Sequence, residues 1–245
     1  MGKKIILIIT AAAVAATGII FMAAPERLLG VLGGTGKITI VVDPGHGGID
    51  GGAESRGGVC EKDINLSIGM KIKEIAEEEG WRVLMTRDRD EGLYSEDKGS
   101  IRSKKSEDLK KRQEIINNSG ADAAVSIHLN SYPSSGVKGA QTFYPATSEE
   151  GRLIAETIQK KIKEKLDRDN DRTSLPKDDI IIMKNNTSPL VLLECGFLSN
   201  DEEAARLVKK EYQDRIAALV VEAFKEYFIH TGKIEKQEVS VVFSK

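Results

Sequence analysis

The feature that most constrains the fold is the alternation of strand and helix patterns that begins at Lys37. Residues 38–42 form a nearly continuous apolar run, which is expected of a strand buried on both faces. The next apolar residues recur at helical spacing and predict an amphipathic helix from Lys62 to Glu79, with Ile64, Ile68, Ile72 and Ile75 on its inner face. We therefore predict a single α/β domain with a mixed, mostly parallel twisted sheet flanked by helices.

The rest of the domain repeats this alternation. Five further strands and one helix follow the same rules, and a last helix closes the domain. The strands lie at 81–86, 121–127, 139–144, 180–183 and 190–193, and the helices at 148–166 and 201–228. Residues 87–111 are charged and predict a long exposed loop that passes into a helix ending near Ser119. This segment could line a substrate groove or be a solvated excursion without a role, and residues 167–179 form a second polar loop.

The N-terminus predicts export from the cytoplasm. Lys3 and Lys4 precede an uncharged apolar run from Ile5 to Ala24, about the ~20 residues that cross a bilayer as a helix. The run exceeds the roughly 7–15-residue core of a signal peptide. Residues 1–24 are therefore expected to be an N-terminal membrane-anchor helix, with a cleaved signal as the alternative. Residues 25–36 would be a glycine-rich tether, 37–230 the folded domain and 231–245 a tail, with the domain anchored or secreted outside the cytoplasm.

Charge and cysteine content exclude two classes of protein. The chain has 36 Lys and Arg against 38 Asp and Glu, a formal net charge of -2, so no nucleic-acid surface is indicated. Cys60 and Cys195 are the only cysteines, too few for the disulfide framework of a small secreted domain. Each adjoins a glutamate of interest, but a small buried hydrophobic role is the commoner fate of a free cysteine.

Polar residues follow three of the predicted strands. His46 follows the first strand, His128 ends the third and Glu194 ends the last. Ligands of open α/β sheets bind beyond the carboxyl ends of the strands, so these side chains should converge. Glu61 follows the glycine-rich loop 45–58, which can fold back over the same edge. Two imidazoles and two carboxylates are then expected in one place.

This set of side chains predicts a hydrolytic metal centre. Two histidines and one carboxylate form a known catalytic zinc set with an open fourth position. A second carboxylate beside the metal can accept a proton from water. The residues alone do not decide which glutamate binds the metal. Asp43 and Asn130 flank the histidines and could fix an imidazole tautomer, or serve in caps or turns, whereas His230 at the end of the last helix has no predicted role.

Four sequence blocks resemble the signature motifs of the zinc-dependent N-acetylmuramoyl-L-alanine amidases (amidase type 3). They are Asp-Pro-Gly-His-Gly-Gly (43–48), Glu-Lys-Asp-Ile-Asn-Leu (61–66), Ser-Ile-His-Leu-Asn-Ser (126–131) and Leu-Glu-Cys-Gly-Phe-Leu-Ser-Asn (193–200). The blocks keep the family's order and span the domain. The resemblance implies that His46, Glu61 and His128 bind one catalytic Zn²⁺ and that Glu194 is the catalytic glutamate.

The resemblance also implies a substrate and a setting. Such enzymes hydrolyse the amide between the lactyl group of N-acetylmuramic acid and L-alanine in peptidoglycan. A single anchored catalytic domain is most similar to the germination-specific amidases of the spore cortex, which help form muramic-δ-lactam in the forespore or cortex space. The resemblance also suggests that a lipoprotein partner activates such an enzyme. The alternatives are a zinc peptidase or deacetylase acting on another wall component, and a partner-dependent wall-binding module with little activity alone.

Overall fold

A six-stranded sheet forms the centre of this computed structural model, which describes residues 37–97 and 99–235. The strand order is β2-β1-β3-β6-β4-β5. In chain order the strands are β1 (Thr39–Pro44), β2 (Arg82–Met85), β3 (Ala123–Asn130), β4 (Gln141–Tyr144), β5 (Leu175–Pro176) and β6 (Leu190–Phe197).

Four of the six strands run in one direction. β1 is parallel to β2 and to β3, and β3 is parallel to β6. β4 pairs antiparallel with β6 and parallel with β5. The prediction of a mixed, mostly parallel sheet in an α/β domain is therefore confirmed.

Helices cover both faces of the sheet. They are α1 (Glu61–Glu78), α2 (Ile101–Asn118), α3 (Glu149–Lys161), α4 (Asp201–Leu207) and α5 (Lys210–His230). One buried cluster joins Ile40 and Val42 to the helices α1, α3 and α5, while a smaller cluster joins Val41 to Ile116 of α2 on the other face. Alternate residues of a strand point to opposite faces, and both faces of β1 are buried for that reason.

Side chains that accept backbone N–H bonds set the start of three helices. Ser100 accepts from Ser103 N before α2, Ser148 from Gly151 N before α3, and Asn200 from Glu203 N before α4. Such caps satisfy N–H groups that a helix leaves free in its first turn. The chain therefore enters these helices at defined residues.

Several boundaries differ from those predicted. The helix α2 begins at Ile101, so the charged segment is a loop only up to Ser100; the buried residues of this helix are Arg112 and Ile116, too few for an apolar period to show. Residues 181–183 form a 3-10 turn rather than a strand. The closing helix is broken between α4 and α5, and the short strand β5 lies inside the second polar loop.

The N-terminal predictions fall on residues that the structure does not describe. The expected anchor at 1–24, the tether at 25–36 and the end of the tail from 236 onward lie outside the described residues. Among the helices that are described, none is long and apolar enough to cross a membrane.

Candidate active site

The four residues singled out from the sequence lie at one edge of the sheet. His46 is in the loop that follows β1, and Glu61 is the first residue of α1. His128 of β3 is paired in register with Glu194 of β6. All three parallel strands end at this edge, so the structure brings the predicted side chains together.

The carboxylate of Glu61 is the centre of the cluster. Its Oε1 atom lies 3.0 Å from Nδ1 of His128 and 3.2 Å from Nε2 of His46. The backbone N–H groups of Ala53 and Leu129 donate to the same carboxylate at 2.8 and 2.9 Å. The two backbone bonds fix the carboxylate between the imidazoles, and together with them they favour its ionised form.

Glycines allow the loops to approach these side chains closely. A Cβ atom at Gly45 would lie 2.2 Å from the imidazole of His128, and one at Gly52 would lie 2.5 Å from Oε2 of Glu61. Gly52 also has a φ of +72°, a backbone region that side chains disfavour. Gly45 and Gly52 are therefore required by their contact with the site.

Asp50 is a site residue that the sequence analysis missed. Its Oδ2 atom lies 3.0 Å from Nδ1 of His46, and its Oδ1 atom lies 2.7 Å from Nζ of Lys105. Although the two atoms are this close, no well-formed hydrogen bond joins Nδ1 of His46 to the carboxylate. A carboxylate behind a metal-ligating histidine commonly fixes its tautomer. The position of Asp50, four residues after the histidine, is the one signal that could have indicated it.

The charges around His46 favour its protonated form. Burial disfavours the imidazolium, but Asp50 and Glu61 outweigh burial and raise the pKa of His46 to about 9. A metal ion would act in the opposite sense, since a ligating imidazole must be neutral. Protons and a cation therefore compete for this group of side chains.

Glu194 differs from Glu61 in having an unsatisfied oxygen. Its Oε2 atom is buried and has no hydrogen-bond partner among the described residues. Burial raises the pKa of the Glu194 carboxyl above its ordinary value. A half-buried carboxylate in a cleft, with one oxygen that has no partner, is poised to exchange a proton with a bound molecule.

A cleft of about 300 Å³ gives access to these groups. Its lining combines the polar cluster with an apolar wall and two lysines, and includes His46, His128, Glu194, Asp50, Lys105, Leu109, Lys177, Ile180, Ile182 and Leu192. Lys105 and Leu109 belong to α2, within the charged segment that was expected to be a loop. This segment therefore lines the cleft, though as a helix.

Asp43 does not orient a histidine in the way that the sequence suggested. Among the described residues it accepts hydrogen bonds from Thr86, Ser126 and Arg112 rather than from an imidazole. Its side chain is fully buried beneath the site. Asn130 accepts a bond from the next backbone N–H, that of Ser131, which corresponds to the turn role left open for it.

Three of the clustered side chains fit a metal ion. Atoms of His46, Glu61 and His128 all lie within 4.8 Å of one another. Zinc bonds of about 2.0–2.2 Å place neighbouring ligand atoms roughly 3–4 Å apart, and two histidines with one carboxylate are a catalytic donor set. This group of residues could therefore hold a metal ion, with Glu194 beside it.

The fold and this site define a hydrolase class, and comparison with known proteins agrees. Residues 40–226 match the family model described as N-acetylmuramoyl-L-alanine amidase. The chain belongs to this amidase family, and the predicted family membership is confirmed.

Particular relatives are similar over nearly the whole domain. The chain is 39% identical over 198 residues to the germination-specific N-acetylmuramoyl-L-alanine amidase of Bacillus subtilis. The aligned residues cover 81% of this chain and 82% of the relative. The CwlD amidase from Clostridioides difficile, solved in complex with the GerS lipoprotein, is 43% identical with a TM-score of 0.77, covering 78% of this chain and 98% of that one. The amidase AmiC2 of Nostoc punctiforme is 30% identical with a TM-score of 0.66, covering 79% and 98%.

Proposed function

We propose that this amidase is zinc-dependent and hydrolyses the amide bond between the lactyl group of N-acetylmuramic acid and L-alanine in peptidoglycan. One observation carries the proposal. His46, Glu61 and His128 form a cluster that could hold a metal ion. Both histidines line the same cleft as Glu194, a half-buried carboxylate with an unpartnered oxygen. Binding and proton transfer are thus assigned to different carboxylates.

The metal is held by His46, Glu61 and His128 in this proposal. When bound, zinc supplies Lewis acidity that activates water and polarises the scissile carbonyl. Glu61 is the better ligand of the two glutamates because two backbone N–H groups already hold it between the imidazoles. Burial opposes the charged form, but the imidazoles of His128 and His46 outweigh it and lower the pKa of Glu61. The two N–H groups also favour the ionised form, so Glu61 is poorly suited to carry a proton.

Glu194 moves the proton. Its carboxylate accepts a proton from the attacking water and returns it to the alanine nitrogen as the amide bond breaks. The strand pairing with His128 keeps this carboxylate beside the cluster. Leu109, Ile180 and Leu192 form an apolar wall of the cleft, and water that such a wall excludes when substrate binds would no longer screen electrostatic interactions with the reacting amide.

The biological setting follows from the similar proteins. We propose that the chain acts on spore-cortex peptidoglycan, contributes to muramic-δ-lactam formation and has a role in germination, supported by the similarity to the Bacillus subtilis relative. It acts outside the cytoplasm, attached to the membrane through residues 1–24 or secreted. A lipoprotein partner is proposed because a 43% identical amidase was solved in complex with one.

Product analysis tests the proposed reaction. The full chain, purified with zinc, is incubated with intact cortex and vegetative peptidoglycan, with and without a candidate lipoprotein. We expect released peptides with a free N-terminal alanine, identified by mass spectrometry. Cleavage inside the stem peptide would indicate a peptidase, and acetate release alone would indicate a deacetylase.

Metal content tests the remaining alternative. A wall-binding module with little activity would hold zinc weakly without its partner and would release no peptide even when the partner is present. Zinc bound in a one-to-one ratio, lost in His128→Ala and accompanied by turnover, supports the enzyme. Peptidoglycan binding without product in every condition would contradict it.

A further inference from the structure

Three successive backbone carbonyl groups at the end of β1 accept hydrogen bonds from side chains. They belong to Pro44, Gly45 and His46, and their donors include two buried arginines. A buried carbonyl must be paired, since an unpaired one loses the hydrogen bond it makes in water. The groups that pair with them therefore influence where the loop lies.

Arg112 of α2 is the first of these groups. It is only 1% exposed. Its Nη1 atom donates to the carbonyl of Pro44 at 2.7 Å, and its Nη2 atom donates to the carbonyl of His46 at 2.6 Å. The guanidinium thus holds the backbone of a proposed metal ligand directly.

Arg87, which follows β2, is the second group, and it is 2% exposed. Its Nε atom donates to the carbonyl of Pro44 at 2.9 Å and its Nη2 atom to the carbonyl of Gly45 at 3.0 Å. The same Nη2 atom reaches the carbonyl of Lys62 in α1 at 2.8 Å. Arg87 therefore ties the loop after β1 to the helix that begins with Glu61.

Carboxylates balance the positive charge of Arg112. Arg112 pairs with Asp43 at 2.8 Å and with Asp108 at 2.5 Å. Asp43 is itself bound by the hydroxyl groups of Thr86 and Ser126, both at 2.6 Å. Such a network holds its members in one arrangement when every donor and acceptor is paired.

The backbone of His46 needs such support. Its φ is +62°, in the left-handed region that residues other than glycine seldom adopt. Strained conformations of this kind persist where the surroundings determine them. The bond from Arg112 to the His46 carbonyl acts on the strained residue itself.

We propose that Arg112 and Arg87 are positioning residues for the metal centre, whose fixed arrays of N–H donors hold His46 at the angle that metal binding requires. The inference rests on the proposed metal-binding role of His46. Arg112 borders the cleft, but both arginines act in this scheme through the loop that carries His46 and not on the reacting groups. Lysine would keep the positive charge at either position but would lose the planar fork of donors.

The test measures metal binding rather than turnover. The full chain is freed of metal with a chelator, and Zn²⁺ affinity is measured by competition with a chromogenic chelator. Co²⁺ is titrated in parallel, because its visible absorption reports the geometry of the ligands. We expect Arg112→Lys and Arg87→Lys each to weaken metal binding about 10- to 100-fold, the usual effect of losing a group that orients a ligand, and to alter the Co²⁺ spectrum.

Ile158→Ala is the matched control for stability. Ile158 is fully buried in α3, which packs in the cluster that also contains α1 and α5, and its truncation destabilises the fold without touching the loop after β1. Thermal unfolding shows how far each variant is destabilised. If Arg112→Lys does not fold, Arg87→Lys carries the test.

His128→Ala separates failure of this inference from failure of the proposed function. If His128→Ala binds metal as the unaltered chain does, the metal site itself is wrongly assigned. If His128→Ala loses the metal while both lysine variants keep unaltered affinity and spectrum, the positioning role is wrong. An equal loss of affinity in Ile158→Ala would also overturn it, because the effect would then follow stability alone.

Discussion

Glu194 lies directly opposite His128 in the paired parallel strands β6 and β3. The next pair along these strands is Asn130 with Phe197, so the register shifts by one residue just past the two side chains. Opposite residues of neighbouring strands point to the same face of a sheet. The pairing therefore brings a carboxylate beside an imidazole at the end of the sheet, where the cleft opens.

Replacing Glu194 separates proton transfer from metal binding. Glu194→Gln keeps the size of the side chain but removes its basicity, so we expect turnover to fall by at least about 10²–10⁴-fold. Metal content should stay at one ion per chain. Peptide release and metal analysis on the same sample check this, and loss of the metal in the variant would show that the roles of Glu61 and Glu194 are wrongly divided.

Adding one methyl group at Gly45 should disrupt the metal centre. The new Cβ atom would lie 2.2 Å from the imidazole of His128, so the ring must move. We expect Gly45→Ala to weaken zinc binding more than tenfold, measured by chelator competition. Gly57→Ala is the matched control, because its Cβ would meet its nearest neighbour, Oγ of Ser55, at 3.8 Å; equal effects of the two substitutions would contradict the argument.

Asp50 should support His46 through its carboxylate. Asp50→Asn removes the negative charge 3.0 Å from Nδ1 of His46, and we expect metal affinity to fall about 10- to 100-fold. Lys105→Met removes the outer partner of Asp50 and should have a smaller effect, since that ammonium is partly solvated. Calorimetric titration of both variants with zinc measures the difference. Unchanged affinity in Asp50→Asn would remove Asp50 from the site.

The buried pair of Asp43 and Arg112 predicts a dependence of stability on pH. Burial opposes the charged form of Asp43, but Arg112, Ser126 and Thr86 outweigh it and hold the pKa of this carboxyl below its ordinary value. The lowered pKa means that the stabilisation is complete above the unfolded value of about 3.9 and is lost as pH falls through the folded value.

Asp43→Asn tests this contribution. At neutral pH we expect the free energy of unfolding to fall by about 3 kcal/mol, because a buried charge loses its partner. The difference from the unaltered chain should shrink as the pH falls below about 4. Denaturant unfolding in the presence of a chelator measures it. Asp201→Asn, which breaks an exposed pair with Arg56, should change stability little at any pH, and a constant difference across pH for Asp43→Asn would refute the assignment.

The boundaries that the sequence misplaced are those of elements with little apolar periodicity. The helix α2 has Arg112 and Ile116 as its buried residues, so its inward face carries a charge and its first turns look like a loop. The 3-10 turn at 181–183 has the same apolar residues as a short strand. The closing helix reads as continuous because the break at Val208 and Lys209 contains no proline or glycine.

The site likewise contains contacts that the sequence did not indicate. Asp43 is close to His46 in sequence, yet its carboxylate pairs with Arg112 of α2 and not with an imidazole. Asp50 reaches His46 because the glycine-rich loop turns back on itself, with Gly47 and Asp50 bonded to each other. A loop of this kind has no periodicity from which its path can be predicted.

The sequence by itself determined the alternation of strands and helices, the edge of the sheet at which polar residues collect, and the four blocks that identify the family. Periodicity and short motifs are local properties, so they can be recognised in the amino-acid sequence without knowledge of the fold. Only the tertiary structure decided that the carboxylate of Asp50 contacts His46. It also decided that Arg87 and Arg112 hold the loop that carries His46. Those contacts join residues up to 68 positions apart, and their geometry depends on how the sheet, α2 and the loop after β1 pack together.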